Sequence, residues 1–222
     1  IPGEGWYDES TPVQLTAPVG PCIAPNGYQY FFAEWTSQGN GVNPITVQMD
    51  GPHTATANYV TPQTLGFSWT GPAKVKKGST ATYTAVYTIT ANVPLTNVKV
   101  QGGIGAKAKN IKIYLDGKLV DVLGSLTSKD WTTYKDGTPF PAGITLKLDV
   151  SKINNVFALR ISSMAAGESH QLSITFDWTF TSTGAEKITD SWTATCTSAF
   201  GTTTTPNTNK IITIPAGLNE GE

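Results

Sequence analysis

The longest regular pattern in the chain is a strict alternation over residues 79–90. Ala81, Tyr83, Ala85, Tyr87 and Ile89 fall on one face, and Thr80, Thr82, Thr84, Val86, Thr88 and Thr90 on the other. A period of two sends successive side chains to opposite sides of an extended backbone, so this stretch predicts a half-buried β-strand. Leu172, Ile174, Phe176, Trp178 and Phe180 alternate in the same way with Ser173, Thr175, Asp177, Thr179 and Thr181. Shorter runs at 95–100, 111–115, 118–120, 144–148, 156–161, 188–196 and 210–214 predict further strands. Asp116-Gly117 reads as a two-residue hairpin turn, and Asp136-Gly137, 139–143 and 166–168 as turns or loops.

The first sixty residues follow a different rhythm. Pro2, Pro12, Pro18, Pro21 and Pro25 confine strands to short pieces. Strands are predicted at 13–17, 28–35, 45–49 and 54–60, with Gly39-Asn40-Gly41 as a loop and Asp50-Gly51 as the turn that makes a hairpin of the last two. Pro62 interrupts pairing before the aromatic pattern restarts at Phe67 and Trp69, which places a boundary there. The predicted domains are 1–61, an incomplete small β-module, and 62–222, a sandwich. The fold class is all-β: a small β-repeat module plus an Ig-like antiparallel β-sandwich.

Gly5-Trp6-Tyr7-Asp8-Glu9, an aromatic strand ending in Trp35, and Ile45-Thr46-Val47-Gln48-Met49-Asp50-Gly51-Pro52 running into Asn58-Tyr59 resemble the divergent internalin-type B-repeat (β-grasp-like) domain of bacterial and archaeal surface proteins. The resemblance covers residues 3–60. In that family an apolar strand precedes the Gly-Trp-Tyr segment, whereas the present sequence has only five residues before Trp6. The resemblance therefore implies a module short of one strand. Val75 to Tyr83, with Lys77-Gly78, and Ala166-Gly167-Glu168-Ser169 are similar to the strand openings of Ig-like adhesion-related domains of prokaryotic surface proteins, and the resemblance implies an archaeal one.

Charge narrows the function classes. Lys and Arg number 15 against 16 Asp and Glu, with charged residues at 14%, so no basic face suits phosphate neutralisation and nucleic acid is not an expected partner. No run of about 18 apolar residues suggests a membrane span. An extracellular, cell-surface location with the signal peptide already removed is expected. Cys22 and Cys196 are the only cysteines and lie at no metal-ligand spacing; a disulfide, within or between chains, fits an oxidising compartment, and two unrelated buried thiols are the alternative.

No catalytic constellation emerges. His53 and His170, the only histidines, have no nucleophile motif around them and read as solvated. Asp8-Glu9 and Asp116, Asp121, Asp130 and Asp136 sit in or near predicted turns, where a carboxylate accepts local backbone hydrogen bonds. No cofactor is expected; calcium in such loops is the one metal worth testing. Lys74, Lys76, Lys77, Lys107, Lys109 and Lys112 read as solvated edges. Among six tryptophans, Trp35 and Trp178 read as core, and Trp131 is the best exposed candidate for stacking on a glycan.

A sheet short of one strand leaves backbone groups and apolar side chains uncovered, and strand addition from another chain is the usual remedy. The apolar run Lys210, Ile211, Ile212, Thr213 and Ile214 has donor character, and Trp6, Tyr7, Phe31, Trp35 and Val47 mark the acceptor region. If Lys210–Ile214 is instead the last strand of its own sandwich, an N-terminal arm over 1–17 is the other possible donor. The sequence thus predicts a homopolymeric structural subunit of a surface filament or pilus. The alternative is an adhesin or carbohydrate-binding module of a larger cell-surface or S-layer protein, with surface glycans as partners.

Overall fold

The computed structural model describes residues 5–36, 43–151, 155–182, 184–206 and, as backbone, 213–217. Every regular element among them is a β-strand. The chain divides into two compact units, Ile1–Thr61 and Pro62–Glu222.

The first unit carries β1 (Pro12–Leu15), β2 (Cys22–Ile23), β3 (Gln29–Thr36), β4 (Ile45–Gln48) and β5 (Thr56–Val60). β1 and β4 form a two-stranded antiparallel sheet with Val13 opposite Val47. β2, β3 and β5 form a three-stranded one, in which the register shifts between Phe32 and Glu34. The hairpin expected at Asp50-Gly51 does not form, because β4 pairs with β1 and β5 with β3. Pro52 follows that turn without an N–H to continue a ladder. Across β3 and β5, Phe32 meets Tyr59 edge-on at 6.0 Å. Ala17, Trp35, Ile45 and Val47 make the small core.

The second unit begins with β6 (Gln63–Thr70), β7 (Val75–Lys76), β8 (Thr80–Ala91), β9 (Leu95–Gly102), β10 (Lys109–Leu115) and β11 (Lys118–Ser125). β12 (Lys129–Trp131), β13 (Ile144–Val150), β14 (Asn155–Met164) and β15 (Ser169–Thr179) follow, then β16 (Ala185–Lys187), β17 (Thr193–Ser198), β18 (Gly201–Thr204) and β19 (Thr213–Gly217). A five-stranded sheet, β11-β10-β15-β8-β6, and a six-stranded sheet, β12-β13-β14-β9-β17-β18, form an antiparallel sandwich. Both contribute to one apolar core.

The predicted alternation decides which faces meet. Tyr83, Ala85, Tyr87 and Ile89 of β8 and Leu172, Ile174, Phe176 and Trp178 of β15 are all buried. Fully burying one such large apolar side chain contributes about 1.5–3 kcal/mol. Trp192 lies flat on Tyr87, ring centroids 3.7 Å apart. It also lies against the backbone of Gly102, where any side chain would overlap the indole. The strand expected over 188–196 starts only at Thr193, yet Ile188 and Trp192 are core residues all the same.

On the outer face the polar partners of the same alternation pair across strands. Thr80 and Thr179 hydroxyls lie 2.7 Å apart, Thr84 and Thr175 2.9 Å, and Thr90 and Ser169 2.8 Å. Asp177 belongs to this face and accepts hydrogen bonds from Thr82 Oγ1 at 2.6 Å and Asn110 Nδ2 at 2.9 Å. Cross-strand Thr pairs of this kind are a recognised source of sheet stability.

Candidate functional site

Two places in the molecule stand apart from ordinary sandwich packing. The first is a cleft of about 620 Å³ in unit 1, lined by Trp6, Tyr7, Glu9, Met49, Asp50 and His53 among others. Its wall is set by backbone hydrogen bonds from Ser10 N to Met49 O (2.7 Å) and from Met49 N to Thr11 O (3.0 Å). Trp6 is wholly exposed and Tyr7 partly so, an unusual position for large aromatics. His53 is not simply solvated: its Nε2 lies 2.6 Å from Asp50 Oδ1. Of the acceptor residues read from the sequence, Phe31, Trp35 and Val47 are already buried, so only Trp6 and Tyr7 offer surface. Among the described residues the buried Trp35 Nε1 has no hydrogen-bond partner. Leaving such a group unsatisfied costs about 1–3 kcal/mol.

The second place is a small third sheet of unit 2, ordered β16-β19-β7. β19 runs antiparallel to β16, with Lys187 opposite Thr213, and parallel to β7, with Val75 opposite Ala216. Thr213 and Ile214 of the candidate donor run therefore pair within their own unit; Lys210, Ile211 and Ile212 lie outside the described residues.

Beside this sheet sits Glu186 of β16, a buried carboxylate. It accepts from Lys107 Nζ and Trp178 Nε1, each at 2.9 Å, from the Thr181 and Ser182 amides, each at 2.9 Å, and from Ser182 Oγ at 3.0 Å. Burial alone would raise its pKa; these donors, Lys107 foremost, hold it far below the ordinary carboxylate range. Lys107 is accordingly an ion-pair partner rather than a purely solvated edge.

A similar cluster forms around Asp121 in β11. It was expected near a turn, but it is buried and accepts from Lys129 Nζ (2.6 Å), Trp131 Nε1 (2.9 Å), the Val122 amide (2.8 Å) and Lys135 Nζ (3.3 Å). Here too burial pushes the pKa up and the donors overcome it. Trp131 is thereby withdrawn from any stacking role: it is 6% exposed, with its indole N–H committed to Asp121. His170, expected to face solvent, is held between Asp116 (2.8 Å) and Glu168 (2.9 Å). The hydrogen bond to Asp116 raises its pKa against the opposing effect of burial.

No disulfide joins the two cysteines within the chain: Cys22 is an exposed thiol, open to a bond between chains, and Cys196 is a buried thiol with Sγ 3.6 Å from Thr203 Oγ1. Among the described residues no three or more His, Cys, Asp or Glu side chains converge as a metal ion would require. No helix among them is long and apolar enough to cross a membrane.

No protein-family model matches the chain, and no curated protein matches it. Solved structures give distant likenesses. A structure of the RrgA Jo.In complex is similar at TM-score 0.35 and 10% identity, over 75% of this chain and 84% of that one. A putative membrane anchored protein from Corynebacterium diphtheriae is similar at TM-score 0.36 and 14% identity, over 96% of this chain and 57% of that one. AvmM, which catalyzes macrocyclization in alchivemycin A biosynthesis, is similar at TM-score 0.30 and 10% identity, over 71% of this chain and 91% of that one. Scores and identities this low assign neither a family nor an activity to the chain.

Proposed function

We propose that this chain is a structural subunit of an extracellular surface filament, whose copies join head to tail by β-strand addition. The observation that carries this reading is the uncovered Trp6–Tyr7 face of unit 1. A fully exposed indole borders an open cleft in a unit whose two sheets, among the described residues, have two and three strands. Short sheets with open edges and uncovered aromatics suit an added strand, whose backbone gives affinity and whose alternate side chains give register. Residues 210–214 supply the donor run, and a contact between unlike faces propagates unless it closes.

Electron microscopy and sedimentation of the full chain, beside a chain lacking residues 207–222, test this. Filaments from the full chain that disappear on truncation are expected. Filaments that persist in the shortened chain refute the donor, and a full chain that stays monomeric refutes the polymer. A second reading, a glycan-binding module, is favoured by the Trp6 ring standing beside Glu9 and the Asp50–His53 pair. A monodisperse monomer that binds glycans through Trp6 would select it.

A further inference from the structure

β19 is the central strand of the one sheet in unit 2 that extends neither large sheet among the described residues, and it separates two short segments that do not pair with each other. Remove β19, and β16 and β7 each present an unpaired backbone edge to the same gap.

The walls of that gap are fastened independently of β19. On one side, Glu186 ties β16 to Lys107, Trp178, Thr181 and Ser182. The residue after β16 is held as well, since Gly105 N donates to Ile188 O at 2.9 Å. On the other side, the loop following β7 is anchored by Gly78 N donating to Phe180 O (2.7 Å) and Phe180 N donating to Ser79 O (3.0 Å). Val75 of β7 is buried against the main core. Both walls are thus fixed to the segment just past the end of β15, and none of these bonds involves residues 213–217.

A seat built without its occupant is indifferent to which chain supplies the strand. Its backbone pairs antiparallel on one side and parallel on the other. Eight residues, 205–212, connect β18 to β19. Exchange of an identical element replaces the same contacts with equal ones, so it costs little beyond association. We propose that β19 is an exchangeable strand, and that in the assembled protein the gap between β7 and β16 takes β19 of a second copy. This rests on the reading that copies join by strand addition and keeps its donor run; it seats that run in unit 2, so the Trp6–Tyr7 face supports the joining of copies as an uncovered surface and not as the seat of β19.

Cysteine cross-linking between two singly substituted chains tests it, in a Cys22→Ser background that removes the exposed thiol. Lys187→Cys and Thr213→Cys occupy register partners across β16 and β19. Val75→Cys and Ala216→Cys do so across β7 and β19, which keeps the test alive if one variant fails to fold. Trp6→Cys reports the rival seat. Mixing the Lys187→Cys and Thr213→Cys chains, allowing assembly and then oxidising should give a cross-linked heterodimer as the main product. Filaments in which the mixed chains give no heterodimer, while a double variant closes only on itself, overturn the exchange and leave the filament intact. So does coupling of Thr213→Cys to Trp6→Cys alone. A cross-linked soluble dimer without filaments upholds the exchange and overturns the filament; no filament and no cross-link overturns both.

Discussion

Replacing Glu186 with Gln keeps the shape of the side chain and removes its charge. The amide oxygen can still accept from the Thr181 and Ser182 N–H groups, now 2.9 Å from Oε1. The amide nitrogen then takes the place of Oε2, which accepts from Lys107 Nζ and Trp178 Nε1. That sets donor against donor at both contacts. Hydrogen bonds to a charged group contribute about 1.5–3 kcal/mol each. The Lys107 side chain is 47% exposed and can turn to water, which discounts its share. The expected loss is roughly 2–4 kcal/mol. At about 2–4 °C per kcal/mol for a unit of this size, the midpoint of thermal unfolding should fall by roughly 4–16 °C.

Circular dichroism melts of the two chains across a pH series provide the assay. The Glu186 carboxyl is held below its ordinary pKa, so its stabilisation is complete above the unfolded value of about 4.3 and is lost as pH falls through the lower folded value. The gap between wild type and variant should therefore be widest near neutrality and should close in acid. A variant that melts within about 2 °C of wild type at pH 7 would refute the assignment. So would a gap that stays constant into strong acid.

Two further outcomes are expected. In the native protein a thiol reagent should modify Cys22 at once and Cys196 only on unfolding, since Cys196 is buried and burial raises its thiol pKa; two thiols that label only after reduction would restore the disulfide. His170 has a raised pKa, so its contribution is fully present below the unfolded value of about 6.5 and is lost as pH rises through the folded value. His170→Gln should cost about 1 kcal/mol or less near pH 6 and nothing near pH 9, read from melts, with a histidine ring titration by NMR giving the shift directly.

The sandwich was legible because its longest strands keep strict alternation, and Tyr83 to Ile89 and Leu172 to Trp178 went inward as that pattern requires. Asp121 was missed because the pattern breaks there. A register shift in the β10–β11 pairing sets Tyr114 opposite Leu119 and Ile113 opposite Asp121, so Val120 and Asp121 are both buried in succession. Trp131 was misread for the same reason, its partner being an acid no alternation would send inside. Glu186 lies in a three-residue strand among Thr, Ser and Gly, where no apolar periodicity points to burial. In unit 1 the strands were found but their partners were not: Asp50-Gly51 carries a hairpin signal that local sequence cannot weigh against β1 and β3, the strands that β4 and β5 pair with instead.

The mixed pairing of β19 has a mechanical consequence. β7 and β19 point the same way, so a pull applied upstream of β7 and downstream of β19 slides one strand along the other. The registered bonds then share the load together instead of parting one at a time, as they would if an edge were peeled. The segment loaded in this way lies between two short walls, and those walls are pinned by the Glu186 carboxylate, by the Gly105–Ile188 bond, by the burial of Val75 and by the backbone of Phe180.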